Sequence, residues 1–478
     1  MYQSKSDNGW TARRIVIVLA LIGSPVGAIA TIILGPQALP IIDKEFNTDQ
    51  GAWFITSELL ASAVLCPVFA RLSDLYGKRR IILVAMFVGS VGSLVVALAP
   101  TFSVLLLGRA MQGTLIVCTA LGPALVRQIF PARIAPLAVG LIATGGGLPG
   151  ALVPFITGPI MDSHGYRGVF FGIAIVTTAL SFLIFAVVPE GAVNKAGSVD
   201  LVGAILLGGS VASLLAGVTL GSGGDWTSPL AIVLIVGGLV LGAAWIWTAL
   251  LKPEPLIDIR ILADRRVANS VAAGGLVAGT GTLFLIVSAL VAEAKLGGTF
   301  GFGLSATQYA GLQCLYFFGF FLGGVIPVYA VHRFSFGFVQ SALSGALLLS
   351  GLVVLVTLNN LPGFTVIHLV AGFAVGGFFS IMFNFLLSEA AEGRQASTSA
   401  LYLTVTTMVQ SVFAAIPISI AYGLYGSGEG SAEGLKTVQF MAVFAIVATV
   451  VSMILVVNSR RGVDKSRATE VVRDLVDI

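Results

Sequence analysis

The chain has 478 residues, of which 57% are hydrophobic and only 10% are charged. Soluble domains carry about 25% charged residues, so this composition is typical of a protein that lies mostly in lipid. It excludes a secreted disulfide scaffold, a disordered chain and a nucleic-acid binder. With a net charge of +4, the distribution of the charges matters more than their sum. The three cysteines lie in apolar runs without metal-ligand spacing, which favours small core side chains.

Long apolar stretches recur along the whole sequence, and a membrane-spanning helix requires about 20 mainly apolar residues. Fourteen such stretches, here called predicted helices 1 to 14, cover residues 14–36, 52–70, 81–99, 103–126, 135–160, 168–188, 199–220, 228–251, 267–292, 306–330, 337–358, 363–386, 397–424 and 436–457. The first is too long to be the apolar core of a signal peptide, and the connecting loops are short. We therefore predict an all-α integral membrane protein with 14 transmembrane helices.

Lysine and arginine residues are distributed unevenly between the loops at the two ends of these helices. If the N-terminus is inside, the inner segments hold 21 of them and the outer segments hold four. Positively charged loops remain on the cytoplasmic side, so this asymmetry predicts that both termini are cytoplasmic. A missed helix would reverse every later loop and remove the asymmetry, so the bias also supports the number of spans.

Two ionisable residues interrupt the predicted helices. Glu58 lies in predicted helix 2, within WFITSELLASAV, and Arg109 lies in predicted helix 4, within VLLLGRAMQGTL. A charge at a helix centre costs about 2.5–3.5 kcal/mol on insertion scales, so such residues usually serve a pathway, a proton relay or a buried pair. Each lies about 9 Å from the outer end of its helix at a rise of 1.5 Å per residue. Their matched depth permits an ion pair if the two helices face each other.

Two interpretations of this pair remain open. The first is a protonatable carboxylate controlled by a fixed positive charge. The second is a purely structural ion pair, or a Glu58 side chain that extends to the membrane surface. Glu293, His332 and His368 are weaker candidates for proton transfer. Glu293 is expected to be solvated at the outer end of predicted helix 9, and an isolated histidine is more often structural.

The loop between predicted helices 2 and 3 combines an acid, a glycine and a basic cluster in the segment ARLSDLYGKRRIIL. Asp74 precedes Gly77, which can adopt the positive φ of a tight turn, and Lys78 and Arg79 follow directly. This order resembles the signature loop of the major facilitator superfamily, although an alanine and a leucine stand where that pattern has glycine and arginine. In that family the loop latches the two halves on the inner face and controls alternating access.

Two further segments resemble elements of the same family. GRAMQG matches its Arg-x-x-Gln-Gly element through Arg109 and Gln112, and that element is associated with proton-coupled members. Predicted helix 5 contains GGGLPGALVPFITGP, a degenerate form of the antiporter motif in which Pro149 begins a series of prolines and Pro154 and Gly158 match the pattern. Prolines bend a helix and glycines allow close contact, so this helix is expected to pack tightly and pivot. A simple packing kink is the alternative.

The segments SVDLVGAILLGG, GGDWTSPL and PLIDIRILADRRVANS resemble the additional helix pair and exit loop of the fourteen-helix drug:proton antiporter branch of this family. The resemblance implies two six-helix halves, residues 14–188 and 267–457, with a substrate site near the middle of the membrane between them. Residues 189–266 then form a linker with two extra helices, and residues 1–13 and 458–478 form cytoplasmic tails.

One departure from that branch concerns the site of protonation. The branch usually carries an aspartate in helix 1, a few residues before an Ala-Leu-Pro sequence, whereas this chain has Thr31 before Ala38, Leu39 and Pro40. The branch often has tyrosine at the position of Glu58. Either Glu58 has taken over the protonation role, or the chain is not coupled to protons.

The substrate path is predicted from aromatic and polar residues in the spans. Phenylalanines are concentrated in predicted helices 10 and 12, where Phe317 and Phe379 are candidates for an aromatic-lined cavity, although most phenylalanines are expected to face lipid or other helices. Gln37, Gln112 and Asn384 are the candidate polar contacts. Because the spans offer few polar groups, a lipophilic substrate is favoured over a specific polar metabolite.

The sequence therefore predicts a transporter and not an enzyme, with no catalytic residue, metal site or cofactor. The preferred function is export of lipophilic small molecules or drugs in exchange for protons, by alternating access across the cell membrane. The alternative is a facilitator or importer of a specific small metabolite on the same fold. We expect a functional monomer whose partners are the small-molecule substrate, protons and the lipid bilayer, without nucleic acid.

Overall fold

The computed structural model describes residues 9–48, 52–193, 200–222, 226–252, 255, 259–294, 301–304, 306–358, 360–389, 401–410, 412–413, 417 and 432–460. Within these ranges the chain forms helices joined by short turns. The helices are α1 Ala12–Gly23, α2 Val26–Phe46, α3 Ala52–Tyr76, α4 Lys78–Leu98, α5 Phe102–Gln112, α6 Val117–Ile129, α7 Ala135–Gly145, α8 Gly147–Val187, α9 Leu201–Ser222, α10 Pro229–Leu251, α11 Arg265–Glu293, α12 Ala306–Arg333, α13 Phe336–Val356, α14 Leu361–Glu389, α15 within residues 401–410 and α16 Ala432–Arg460.

Twelve helical stretches of the described chain are long and apolar enough to cross a membrane. A further apolar stretch, Val202–Val218, is shorter, so predicted helix 7 is only partly supported. Predicted helix 13, residues 397–424, lies largely outside the described residues. The all-helical, multi-pass membrane fold is thus confirmed, whereas the total of fourteen spans stays a prediction.

Helix boundaries differ from the prediction at several places, among them predicted helix 4, which is divided into α5 and α6, and predicted helix 5, which is divided between α7 and α8. Predicted helix 1 is broken between α1 and α2, because Pro25 lacks the backbone N–H that would continue the hydrogen bonding of α1. In contrast, α8 continues through the expected boundary between predicted helices 5 and 6 and is interrupted only at Gly165, whose φ is 63°. Such a φ favours glycine. We call the parts of α8 before and after Gly165 its first and second arms.

The second arm of α8 and the residues after it hold both ends of α4. At the end of the bundle formed by the turn between α3 and α4, here called the basic end, the Glu190 carboxylate accepts hydrogen bonds from the backbone N–H groups of Arg79 and Arg80, at 2.9 and 3.1 Å. At the opposite end, the Arg167 guanidinium donates to two carbonyl oxygens at the end of α4, each at 2.8 Å. An anion at the N-terminus and a cation at the C-terminus both complement the helix dipole.

One hydrophobic cluster joins the two halves of the protein at the basic end. It combines buried residues such as Ile82 and Ala135 from the N-terminal half with Val271, Leu386 and Tyr402 from the C-terminal half. The other large apolar cores belong to one half each and form separate clusters. The structure is therefore closed at the basic end, where both halves share one core.

Glycines make the direct backbone contact between the halves. A Cβ atom at Gly140 of α7 would lie 2.6 Å from the carbonyl oxygen of Gly324 in α12, and one at Gly147 of α8 would lie 2.5 Å from that of Phe317. A Cβ atom at Gly324 would lie 1.4 Å from Oγ1 of Thr144. Side chains at these positions would separate the helices, so the closed state depends on the missing Cβ atoms.

We predict that Gly324→Ala destabilises the closed state, because overpacking a tight contact usually costs about 1–3 kcal/mol. The measurement is the melting temperature of the purified protein in detergent, which should fall. Gly345→Ala is the matched control, because it also lies in a membrane helix but has nothing within 4 Å of its Cβ position. Equal melting temperatures for the two variants would contradict this account of the interface.

Candidate functional site

A buried ion pair lies inside the N-terminal half. Arg109 of α5 places Nη2 at 2.5 Å from Oε2 of Glu58 in α3, and the two side chains are 0% and 1% exposed. The matched depth in the sequence permitted this pair, and the structure brings the two residues together. Removing either charge alone would leave the other buried without its counter-ion, which is strongly unfavourable.

The second carboxylate oxygen of Glu58 is bound from another helix. Thr31 of α2 donates its hydroxyl to Oε1 of Glu58 at 2.5 Å, and Thr31 is itself fully buried. Glu58 therefore connects three helices, because α2 holds one oxygen, α5 holds the other, and α3 carries the side chain. Thr31 stands at the expected acidic position of predicted helix 1, and it binds directly to the carboxylate of Glu58 in predicted helix 2.

Arg109 has further partners that fix its orientation. Its Nε donates to the carbonyl oxygen of Phe54 at 2.9 Å, and its guanidinium carbon lies 4.3 Å from the centre of the Phe54 ring. Nη1 donates to Oε1 of Gln112 at 2.8 Å, and Nε2 of Gln112 donates to Ser93 of α4 at 2.8 Å. Gln112 is fully buried in this network. Both ends of its amide are bound inside the half, and its role on the substrate path stays a prediction.

A close backbone approach brings α3 and α5 together beside the ion pair. A Cβ atom at Gly113 would lie 2.8 Å from the carbonyl oxygen of Glu58 and 2.8 Å from the backbone nitrogen of Ser62. Gly113 begins the 3-10 helix Gly113–Ile116 that follows α5. The glycine next to Gln112 therefore lets the helix that carries Arg109 lie directly on the helix that carries Glu58.

The predicted gating loop forms the turn at the basic end. Gly77 has φ 107°, as the tight turn required, and the carbon of the Glu190 carboxyl would lie 2.7 Å from a Cβ atom there. Lys78 and Asp74 form a buried ion pair at 3.0 Å. The guanidinium carbon of Arg79 lies 5.1 Å from the centre of the Phe185 ring, and Arg79 also donates a hydrogen bond to the backbone carbonyl oxygen of Phe185. These contacts fasten the loop to the N-terminal half. Its role as a latch between the halves stays a prediction.

The antiporter-helix residues are distributed along the first arm of α8. Pro149 is half-buried near its start, and the side chain of Pro154 lies outside the described part of the structure. Gly158 has nothing within 4 Å of its Cβ position, so it is not a close-contact glycine. The tight contact lies at Gly147 and Gly150 instead, where Gly150 faces both Ile29 and Phe317 at 3.2–3.3 Å from its Cβ position.

The residues predicted for the substrate path do not form one site. Phe317 lies at the contact with α8, whereas the ring of Phe379 packs near Phe383 and Tyr402 at the basic end. Asn384 donates from Nδ2 to the carbonyl oxygen of Pro136 at 3.3 Å, so it joins the halves. The side chain of Gln37 lies outside the described residues, and so do those of Glu293 and His332.

His368 is a buried residue of the C-terminal half. It is 0% exposed, its Nδ1 lies 2.7 Å from the carbonyl oxygen of Phe364, and its ring lies edge-on to Phe284 at 5.1 Å and Phe364 at 4.9 Å. These contacts agree with the structural interpretation of an isolated histidine.

Two residues of the site are absent from the sequence analysis. Glu190 caps α4, and its signal was an acid directly after predicted helix 6, on the same predicted side as the basic cluster. Ser93 accepts the hydrogen bond from Gln112, and no local pattern distinguishes it from the other small residues of α4.

Comparisons with known proteins agree with this architecture. A family model described as Major Facilitator Superfamily matches residues 19–203. The multidrug resistance protein Stp of Mycobacterium tuberculosis is 30% identical over 241 residues, which are 49% of this chain and 44% of that protein. The probable actinorhodin transporter of Streptomyces coelicolor is 27% identical over 400 residues, 78% of this chain and 66% of that protein. The chain thus spans less than half of the first of these relatives and about two thirds of the second.

The fold is also similar to that of a solved transporter. The crystal structure of the human organic anion transporter MFSD10 has a TM-score of 0.64 at 14% sequence identity, covering 92% of this chain and all of that one. At this identity the likeness concerns the fold alone. The family-model match and the transporter-named relatives point to a transporter rather than an enzyme. The same findings support a major facilitator superfamily protein.

We predict that Arg109→Met lowers the free energy of unfolding by about 3–5 kcal/mol, because it leaves Glu58 buried without its counter-ion. Adding Glu58→Leu to that variant should recover much of the loss. Denaturant titration in detergent, followed by tryptophan fluorescence, measures both effects. If the losses of the two single variants simply add in the double variant, the pair is not coupled.

We predict that Glu190→Ala destabilises α4 by about 0.5–2 kcal/mol, the usual cost of losing a helix cap. Glu190→Gln, which keeps an acceptor but loses the charge, should lie between this variant and the natural chain. Hydrogen exchange at the first turn of α4 reports the effect directly. Glu433→Ala removes an exposed acid from the first turn of α16 and is the control. Unchanged exchange in Glu190→Ala would contradict the capping role.

Proposed function

We propose that this protein is a proton-coupled exporter of lipophilic small molecules in the cell membrane, with both termini cytoplasmic, and that it works as a monomer of the fourteen-helix drug:proton antiporter type. The observation that carries the proposal is the carboxylate of Glu58, bound between Thr31 and Arg109. Relatives named as multidrug and antibiotic transporters support the substrate class. The low polarity of the spans supports it too, because a polar metabolite needs several polar contacts.

Glu58 occupies the place of the acid that helix 1 lacks. Thr31 stands at the expected acidic position, and its hydroxyl is 2.5 Å from the Glu58 carboxylate. The carboxylate of Glu58, in predicted helix 2, thus contacts the residue at the acidic position of predicted helix 1. This geometry favours transfer of the protonation role to Glu58 over loss of proton coupling.

Protonation would act on the ion pair first. A neutral Glu58 no longer attracts Arg109, so the contact between α3 and α5 weakens, and the two protonation states favour different arrangements of the three helices. A ligand, here the proton, shifts two conformations only by its different affinity for them. The proposal therefore requires that Glu58 binds a proton more tightly in another arrangement of the helices than in the closed state seen here, where its counter-ion is present.

The ion pair is connected to the contact between the halves through α2. Ile29 lies two residues before Thr31 and packs over Gly146 and Gly150 of the turn and helix that follow α7. Gly150 also faces Phe317 of the C-terminal half. A shift of α2 after protonation would therefore reach the interface through one layer of side chains. This contiguous packing is the proposed route from the proton site to the alternation of the halves.

The test uses inside-out vesicles that contain the protein, with an acid-inside pH gradient reported by a pH-sensitive dye. Addition of lipophilic cations or neutral drugs should dissipate the gradient with the natural chain and not with Glu58→Gln. Glu45→Gln is the matched control, since Glu45 also pairs with an arginine, Arg167 at 2.6 Å, but at the edge of the bundle. Its transport should be unchanged.

A second variant separates the role of the acid from its position. Combining Glu58→Gln with Thr31→Asp returns the carboxylate to α2 at the same point, and part of the transport should return. Dissipation that survives in Glu58→Gln would refute the proton site but keep the antiporter. Absence of any response from correctly inserted natural protein would favour the alternative, a facilitator or importer of a specific metabolite.

A further inference from the structure

An apolar groove of about 510 Å³ lies on the surface of the N-terminal half. It is lined by residues of α3, α4 and α5 and by Thr114 of the following 3-10 helix, whereas Glu58 is 1% exposed and is not one of the lining residues. On α4 and α5, the side chains of Phe87 and Leu107 are 68% and 59% exposed. Large apolar side chains exposed on both α4 and α5 indicate that this surface faces the hydrocarbon of the bilayer rather than an aqueous cavity.

The lining of the groove offers few polar atoms to an occupant. The hydroxyl of Thr114 donates to the carbonyl oxygen of Ala85 at 2.9 Å, so it is bound within the protein. The hydroxyl of Ser57 faces the carbonyl oxygen of Phe54 on its own helix at 3.5 Å. The other lining residues are alanine, valine, leucine, methionine and one tryptophan. A molecule in the groove therefore makes almost entirely apolar contacts.

The length of the groove matches one leaflet of a bilayer. Its lining on α3 runs from Trp53, beside the start of the helix, to Leu65. Twelve residues of helix rise about 18 Å, and half of the hydrocarbon core is about 15 Å. Tryptophan is enriched where membrane and water meet, which agrees with Trp53 at the end of the groove nearest the membrane surface.

We propose that this groove binds one acyl chain of a phospholipid from the leaflet at the opposite end from the basic turn. The chain extends from Trp53 near the surface to Leu65 and Thr114 near the midplane. It also supports the contact that holds the ion pair, because Ala61 lines the groove and lies 2.9 Å from the Cβ position of Gly113. This inference does not rest on proton coupling or on the nature of the transported substrate.

The experiment uses the full chain in vesicles of phosphatidylethanolamine and phosphatidylglycerol. These contain a small fraction of phosphatidylethanolamine with a photoreactive diazirine at one position of one acyl chain. After illumination, mass spectrometry locates the adducts. A diazirine at the chain end should label the peptides of Leu65 and Thr114, and one near the headgroup should label that of Trp53. If the labelled peptides do not change with the position of the diazirine, the proposal that an acyl chain lies along the groove is refuted.

Two variants of α4 test the groove itself. Val88 lines it, so Val88→Trp fills the space and should lower the adduct yield about tenfold, the factor that about 1.4 kcal/mol of binding free energy gives. Val84 lies one turn away, is 47% exposed and does not line the groove, so Val84→Trp should leave the yield unchanged. Equal yields in the two variants would refute the site. Loss of the adducts on adding a transported drug, or cross-links to a second protein copy, would assign the groove to another occupant.

Discussion

The ion pair between Glu58 and Arg109 is the constraint on which the N-terminal half depends. Two charges with almost no exposure persist in a membrane helix bundle only when each remaining donor and acceptor is used. Side chains from α2 and α4 and a backbone carbonyl of α3 bind the pair, so six polar groups on four helices belong to one network. Replacing the pair with apolar residues would be compatible with folding, which makes a purely structural explanation for its presence weaker.

The surrounding helices hold that network in place inside the N-terminal half. The second arm of α8 and Glu190 hold α4 at both ends, and each cap has the sign that the helix dipole favours. The described contacts between the halves are different in kind, because they include close glycine backbones, an apolar cluster and the hydrogen bond from Asn384 to Pro136. Rigid halves with a separable interface are what alternating access requires.

The sequence predicts the membrane fold and the ion pair well, because both follow from strong local signals. A charge in an apolar stretch stands out, and helical rise alone gives its depth. The direction in which a side chain points around the helix axis cannot be obtained from such local signals. Gln112 lies three residues after Arg109, and the sequence allows its side chain to face either a substrate path or a buried polar network. The contact with Ser93 on α4 follows only from tertiary packing. Phe317, Phe379 and Asn384 were grouped by composition, but tertiary packing distributes them between different contacts.

Glu190 and Gly158 are two further residues whose contacts do not follow from the sequence alone. The cap at the start of α4 comes from a residue more than a hundred positions away in the chain, so no window of sequence contains both partners. Gly158 matches a motif position, yet its Cβ site is open, whereas Gly147 and Gly150, about two to three turns earlier, carry the close contacts. A motif fixes which residue types a helix uses for packing, but the bend at Gly165 and the break before α8 decide which of them face the partner half. The same reasoning applies to the acid. Thr31 and Glu58 lie on different helices 27 residues apart in the chain, and only the packing of these helices brings their side chains together.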